Sequence, residues 1–196
     1  MIKRSFDIVF SSLGLILFLP LLLIIAFLIK LESQGPIFFR QSRVGKNNRD
    51  FKIFKFRTMF IGSDKKGLLT VGNRDPRVTK VGYFLRKYKL DELPQLINVL
   101  LGNMSFVGPR PEVRHYVNFY SESDLKILSV KPGITDYASI HFRNEVELLR
   151  ESENPEKFYI EHILPDKIAL NKKYIEQNSL LTDIKIIFKT LLTIIN

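Results

Sequence analysis

The stretch that organises this chain is Arg-Lys-Tyr-Lys-Leu-Asp-Glu-Leu-Pro-Gln-Leu-Ile-Asn-Val-Leu-Leu-Gly-Asn-Met-Ser-Phe-Val-Gly-Pro-Arg-Pro, residues 86–111. It contains two adjacent carboxylates, Asp91 and Glu92, followed by Pro94. Proline is tolerated in a first helical turn because its missing N–H has no helical acceptor there. The pattern therefore predicts both acids at a helix N-terminus. The helix dipole and the cations just before the pair should keep Asp91 ionised near neutral pH.

The second half of this stretch predicts a helix end and then a rigid turn. Gly102 follows the apolar helical pattern, as is usual at a helix C-terminus. Pro109 and Pro111 flank Arg110, so its guanidinium would be presented with little entropy left to lose. Rigid presentation suits bidentate binding of a phosphate group. An ionised carboxylate beside such a cation or a metal is a candidate nucleophile towards phosphorus, although a capped helix with acidic residues in its first turn would also explain the Asp-Glu pair.

Composition restricts the classes of chemistry and partner. The 196 residues include no cysteine, which excludes disulfides, thiolate metal sites and thiol catalysis. The three histidines show no metal-ligand spacing. The formal net charge of +10 predicts polyanionic partners: nucleic acid, anionic lipid or phosphorylated small molecules.

The N-terminal region predicts contact with a membrane. Residues 8–29 carry no charge and would form a straight helix of about 33 Å. A spanning helix is the default interpretation. Pro20 near the middle and cations on both flanks favour instead a helix broken at Pro20 that re-enters the same leaflet. The residues alone leave both possibilities open.

The region after this helix is basic and rich in phenylalanine between residues 40 and 57. Such a pattern suits a nucleic-acid surface, but beside a membrane segment a surface facing phosphates and headgroups is favoured. Residues 51–57 predict a strand, on which Lys55 is either a phosphate contact or a solvated edge lysine. Residues 61–74 predict a surface loop. The amphipathic segment 183–195 either packs on the core or lies in the membrane interface.

Residues 86–111, the run 55–59 and the block 131–144 together resemble the bacterial sugar transferases, the monotopic polyprenyl-phosphate phosphoglycosyl transferases. The resemblance covers nearly the whole chain. It implies a mixed, helix-rich α/β fold, with a re-entrant membrane helix in residues 1–33 and a compact cytosolic catalytic domain in residues 34–196. Interfacial amphipathic helices would hold this domain at the cytosolic face of the bacterial inner membrane.

The resemblance also implies a reaction: transfer of a sugar-1-phosphate from a UDP-sugar to polyprenyl (undecaprenyl) phosphate, with release of UMP, as the first membrane step of surface glycan assembly. Asp91 would form a covalent phosphosugar intermediate and hold Mg²⁺ or Mn²⁺, and Glu92 would assist. The residues implied to contact substrate phosphates are Arg110, Arg86, Lys55 and Arg143. The prolines implied to shape the structure are Pro20, Pro94, Pro109 and Pro111.

The chain departs from the commoner family pattern at three places: Leu19 before Pro20, Asn103 after Gly102, and the segment 136–142. The last departure concerns the identity of the sugar more than the chemistry. The resemblance implies a bilayer partner and no nucleic acid, and it leaves an oligomer open. The alternative functions are a membrane-tethered module that binds polyanions and a scaffold for other glycan enzymes.

Overall fold

The computed structural model describes residues 2–63, 69 and 75–195. Helices dominate and the strands are short, so the predicted helix-rich α/β fold is confirmed; most of the predicted loop 61–74 lies outside the described residues. The strands are β1 (Phe38–Val44), β2 (Asp50–Phe56), β3 (Ser105–Val107) and β4 (Gly133–Thr135). The helices are α1 (Ile2–Glu32), α2 (Lys80–Lys87), α3 (Gln95–Leu101), α4 (Arg114–Val117), α5 (Tyr137–His141), α6 (Glu145–Glu151), α7 (Pro155–Phe158), α8 (Leu164–Glu176) and α9 (Leu180–Ile195).

The strands form two small sheets that place the basic and the proline-rich segments. β1 and β2 pair as an antiparallel hairpin, which confirms the strand predicted for residues 51–57 to within one residue at each end. β3 and β4 are parallel, with Ser105 opposite Gly133. A Cβ atom on Gly133 would lie 2.1 Å from the backbone nitrogen of Gly108, so glycine is required where these two backbones meet. This close approach anchors the turn that carries Arg110.

Helix α1 is long, apolar and mostly exposed. It is the one helix among the described residues that is long and apolar enough to cross a membrane, with a mean hydropathy of 2.9 over its best window. Its 31 residues would measure about 46 Å as a straight helix. The helix continues without interruption through Pro20, so the predicted break in helical structure at this residue is wrong. The turns on either side keep the chain helical although Pro20 itself can donate no backbone hydrogen bond.

The N-terminal end of α1 is attached to the rest of the protein by polar contacts. Lys3 Nζ donates to the carbonyl oxygen of Val107 at 2.9 Å and lies 2.6 Å from the carboxylate of Asp183 in α9. The buried carboxylate of Asp7 accepts hydrogen bonds from Ser105 Oγ at 3.0 Å and from the backbone N–H of Phe106 at 3.1 Å. These contacts join the start of the helix to β3 and α9.

The C-terminal end of α1 is attached to a different part of the same body. Ile25 and Ile29 pack against Phe56 of β2 and Leu85 of α2. The carboxylate of Glu32 accepts hydrogen bonds from the backbone N–H groups that begin α2, at 2.6 and 3.0 Å. Both ends of this apolar helix therefore contact the residues that follow it in the chain.

Helix α9 has one buried and one exposed apolar side. Ile186 is fully buried beside Val107 and Tyr174. Phe188, Leu191 and Leu192 are each more than half exposed. The predicted packing of this segment on the core is confirmed, and its exposed apolar side leaves the interfacial role a prediction.

Candidate active site

The two adjacent carboxylates lie in a short 3₁₀ turn, Leu90–Glu92, between α2 and α3. Lys89 follows Tyr88, the C-cap of α2, and adopts the left-handed conformation, with φ of +56°. Pro94 occupies the N-cap of α3, so the acids precede the helix instead of lying in its first turn. Gly102, with φ of +85°, ends α3 as predicted. The turn directs Asp91 and Glu92 to different surroundings.

Glu92 is held by two cations that come from distant parts of the chain. Lys55 Nζ on β2 lies 2.9 Å from Glu92 Oε1. The Arg110 guanidinium donates to both carboxylate oxygens, with Nη1 at 3.2 Å from Oε2. Although burial opposes the charge, Arg110 and Lys55 hold the pKa of Glu92 well below its usual range. Glu92 is therefore an anion, and both of its carboxylate oxygens already accept hydrogen bonds from cations.

Asp91 has the opposite surroundings. Its side chain is buried, and Oδ1 has no hydrogen-bond partner. Burial, and then the neighbouring charge of Glu92, raise the pKa of Asp91, outweighing the attraction of Lys55, Arg86 and Lys89. This direction is opposite to the effect expected from the helix dipole and the cations, because sequence reasoning did not count the desolvation. Ionisation of Asp91 near neutral pH stays a prediction. The free oxygen is a strong acceptor without a partner.

Arg110 is positioned by its backbone as the two prolines predicted. The backbone N–H of Arg110 donates to Asp136 Oδ2 at 3.0 Å, and the carbonyl oxygen of Pro109 accepts from the N–H of Gly133 at 3.1 Å. Attraction to Glu92 raises the pKa of Arg110. The fork of the guanidinium contacts a carboxylate here, so a bidentate contact with phosphate stays a prediction.

The other two cations predicted near the carboxylates also lie there. Lys55 is largely buried, so the alternative of a solvated edge lysine is wrong. Burial lowers the pKa of Lys55, and Glu92 is the largest influence in the other direction. Burial likewise lowers the pKa of Arg86, opposed first by Asp91. The structure thus brings Lys55, Arg86 and Arg110 to the acidic pair.

Sequence reasoning missed two acids that support the turn around Arg110. Asp136 is fully buried and caps α5 by accepting the N–H of Ser139 at 2.6 Å, while its other oxygen holds Arg110. An aspartate immediately before a helical segment is a recognisable N-cap signal. Glu112 accepts a hydrogen bond from Tyr159 at 2.7 Å and lies 3.8 Å from Lys167. No local sequence signal would have found that pairing.

A cavity of about 570 Å³ is lined by Glu92 of the acidic pair. Its charged wall includes Glu92, Arg110 and the exposed Arg143, so the predicted contact residue Arg143 faces the same space. Its apolar wall includes Phe18 of α1, Leu96 of α3 and Leu191 of α9. A molecule in this cavity would touch cations at one side and the apolar helices at the other.

The residues around the acidic pair can be compared with the ligands that the predicted Mg²⁺ ion would need. Among residues 2–63, 69 and 75–195, no three acidic or histidine side chains form a cluster that could hold a metal ion. Mg²⁺, however, often binds through one or two carboxylates, with water and substrate phosphates completing its shell. The unpartnered oxygen of Asp91 fits that donor set, and Glu92 is already paired. Asp91 is therefore the protein ligand that Mg²⁺ would take here.

Comparison with known proteins identifies the class. The family model described as bacterial sugar transferase matches residues 1–196. A protein of Aeromonas hydrophila, a UDP-N-acetylgalactosamine-undecaprenyl-phosphate N-acetylgalactosaminephosphotransferase, is 42% identical over 99% of this chain and 44% of its own length. The UDP-glucose:undecaprenyl-phosphate glucose-1-phosphate transferase of Escherichia coli is 43% identical over 97% of this chain and 39% of its own length. The exopolysaccharide production protein ExoY of Rhizobium meliloti is 36% identical over 97% of this chain and 84% of its own length.

This chain belongs to the bacterial sugar transferase family. It spans less than half the length of the first two relatives and most of the third. The part of this chain that the family model matches, residues 1–196, includes the acidic pair, the cations around it and the long apolar helix.

Proposed function

We propose that this protein transfers a sugar-1-phosphate from a UDP-sugar to undecaprenyl phosphate and releases UMP. The named relatives support the two substrates, because the first two use a UDP-sugar and undecaprenyl phosphate by name. The observation that carries the proposal is the asymmetry of the acidic pair: a buried Asp91 oxygen without a partner beside a Glu92 fixed by two cations. Such an arrangement suits one reactive carboxylate and one supporting carboxylate.

The reaction proceeds by two displacements at the same phosphorus atom. In the first, an Asp91 oxygen bonds to the phosphorus that carries the sugar, and the bond from that phosphorus to the UMP oxygen breaks. In the second, an oxygen of undecaprenyl phosphate attacks the phosphorus, and the bond to Asp91 breaks. Two displacements predict ping-pong kinetics. Glu92 orients Lys55 and Arg110 towards the phosphate charge that develops in each step.

A divalent cation would neutralise the diphosphate of the donor. The residues of the chain provide the rest of the site's charge. Arg110 carries two parallel N–H donors and can exchange Glu92 for a phosphate when substrate enters. Arg143 on the cavity wall is available to the same substrate. The raised pKa of Asp91, caused first by burial, indicates that the anion is poorly solvated and hence reactive towards phosphorus.

The membrane topology is part of the proposal: α1 stays helical but bends at Pro20, so that it enters and leaves the cytosolic leaflet, and the catalytic domain lies at the headgroup plane of the inner membrane. Both ends of α1 contact the same catalytic domain, which supports re-entry because the ends of a spanning helix would be separated by the bilayer. The exposed apolar side of α9 supports an interfacial helix on the same surface. The lipid phosphate would then meet the cavity without leaving the membrane.

The alternative of a polyanion-binding module gains no support. Three cations of the basic stretch 40–57 are directed inwards or paired: Lys55 contacts Glu92, Arg43 donates to the carbonyl of Pro111, and Arg57 donates to Ser33. The other four, Arg40, Lys46, Arg49 and Lys52, are exposed, which suits anionic headgroups beside an apolar helix as well as it suits nucleic acid. The first two relatives named above are transferases by name.

The proposed function is tested by incubating the purified full chain in detergent with undecaprenyl phosphate, Mg²⁺ and a panel of UDP-sugars. We expect metal-dependent UMP release with at least one donor and, with donor alone, a phosphosugar adduct on Asp91 detected by intact-mass spectrometry. Product formation without any adduct would contradict the covalent route. No UMP from any donor would contradict the function.

The topology is tested separately by single cysteines placed at positions 3 and 33, which is straightforward because the chain has no cysteine of its own. In inverted and right-side-out vesicles, re-entry predicts that an impermeant thiol reagent labels both positions from the cytosolic side. Labelling from opposite sides would show a spanning helix.

A further inference from the structure

The cations around the cavity differ in whether they already have a partner. Arg110 and Lys55 share the carboxylate of Glu92, and Lys167 pairs with acids on its own side of the cavity. Lys89 lines the same cavity and is exposed. Among the residues that the structure describes, no side chain forms an ion pair or a hydrogen bond with the ammonium group of Lys89. Its charge is therefore free to meet a ligand.

The positive charge of Lys89 also lowers the pKa of both carboxylates of the acidic pair. Burial is the largest influence on the pKa of both Asp91 and Glu92, and Lys89 is among the charges that oppose burial at each. The exposed cation Arg143 on the cavity wall is not among the largest influences on the pKa of either acid. Lys89 is thus the unpaired cation whose field reaches both members of the pair.

The backbone of Lys89 is held in a conformation that lysine rarely adopts. Its φ of +56° lies in the left-handed region. The other two described residues of this kind outside glycine are Asn47 and Asn48, and asparagine tolerates the region well. Glycine or asparagine would be the usual residue immediately after a helix such as α2. A strained residue at the edge of a reactive site is a reason to look for a function that its side chain serves.

We propose that Lys89 binds the phosphate group on which Asp91 acts, as a cation of the cavity wall that remains available before substrate enters. The inference rests on the proposed function and adds a residue to it. The ammonium group recognises a phosphate as a compact positive charge, which both the donor diphosphate and the lipid phosphate would satisfy. Lys89 stands in a left-handed turn on the wall of the cavity that Glu92 also lines.

The test compares Lys89→Asn and Lys89→Arg with the wild type in the full chain in detergent. The control is Lys126→Asn, which removes the same charge at an exposed position that does not line the cavity. We measure binding of UDP and of undecaprenyl phosphate, the rate of adduct formation with donor alone, and the thermal unfolding midpoint. Lys89→Asn should lose about 10-fold in affinity or more for a phosphate ligand, as expected when a charged hydrogen bond is removed. Lys89→Arg should retain most of it.

The two sources of phosphate are separated by the two half-reactions. Slower adduct formation and weaker UDP binding in Lys89→Asn would show that Lys89 binds a phosphate of the donor. Normal adduct formation with weaker binding of undecaprenyl phosphate places it on the lipid. The unfolding midpoint of Lys89→Asn should equal or exceed that of the wild type, because asparagine tolerates the backbone conformation better.

Two results would overturn the inference. One is a Lys89→Asn variant that binds both ligands as the wild type does. The other is a loss of binding that comes with a lower unfolding midpoint and is not restored in Lys89→Arg, which shows a structural role. A wild type that binds UDP through Lys89 and yet releases UMP from no donor would refute the proposed function while leaving this inference standing.

Discussion

The two acidic residues of the turn Leu90–Glu92 have very different surroundings although they are adjacent in sequence. On one side Glu92 is paired with Lys55 and Arg110, and these cations hold its pKa down against burial. On the other side Asp91 is buried with an oxygen that has no partner, and burial raises its pKa. Neighbouring residues of like chemistry therefore have different surroundings, because the tertiary structure brings partners to Glu92 and leaves Asp91 Oδ1 without one.

The largest effect should come from removing the unpartnered carboxylate. Asp91→Asn keeps the shape of the side chain but loses the nucleophile, so turnover should fall about 1,000-fold or more and the adduct should disappear. UMP release and intact mass measure the two consequences. Asp166→Asn, at an exposed position on α8, is the matched control and should behave as wild type. An adduct that persists in Asp91→Asn would assign the nucleophile to another residue.

Removing the paired carboxylate should affect both activity and folding. Glu92→Gln leaves Lys55 and Arg110 buried without their counter-charge, which typically costs about 3 kcal/mol of unfolding free energy. Activity should fall about 100-fold, as for loss of an assisting acid or base. Urea denaturation and the UMP assay measure these changes, with the exposed Glu122→Gln as control. A variant of unchanged stability would mean that the cations find other partners.

A smaller effect is expected from replacing the Arg110 guanidinium, which donates to both oxygens of Glu92. Arg110→Lys keeps the charge but loses the two parallel donors, so kcat/KM for the donor should fall about 10-fold, the equivalent of one charged hydrogen bond. Steady-state kinetics measure the change. The exposed Arg150→Lys provides the same chemical change away from the site. Activity equal to wild type would show that a bidentate contact is not needed.

The smallest effect concerns the pH dependence of stability, and its sign differs between the two acids. The lowered pKa of Glu92 stabilises the folded state above the ordinary value of 4.5, and this stabilisation is lost as pH falls through the folded-state pKa. The raised pKa of Asp91 has the opposite sign: its charge destabilises the fold increasingly as pH rises above 3.8.

Calorimetry between pH 3 and pH 8 measures this difference. Asp91→Asn should unfold at a higher temperature than wild type at pH 7, because it removes a poorly solvated charge, and this gain should vanish in acid. The deficit of Glu92→Gln should shrink as pH falls below 4.5. A lower midpoint for Asp91→Asn at pH 7 would indicate that the folded state favours the anion after all.

Local patterns were sufficient to predict several features. The end of α3 at Gly102, the strand that carries Lys55 and the rigid turn around Arg110 follow from glycine and proline chemistry and from alternation over a few residues. The prediction of a break at Pro20 failed because a proline can be accommodated when the neighbouring turns keep the helix intact. Asp136 carried a capping signal, but its second contact, to Arg110, is formed 26 residues away in sequence.

The sequence by itself determined the class of protein, the apolar helix and the residues available for chemistry, since these depend on residue types and their spacing along the chain. Only the tertiary structure decided which of the two acids is free. Glu92 pairs with Lys55, which is 37 residues away in sequence, and with Arg110, which is 18 residues away. The same packing excludes water from Asp91. Burial and long-range pairing shift the energy of a charge as strongly as its neighbours in sequence do, and neither is encoded in a local pattern.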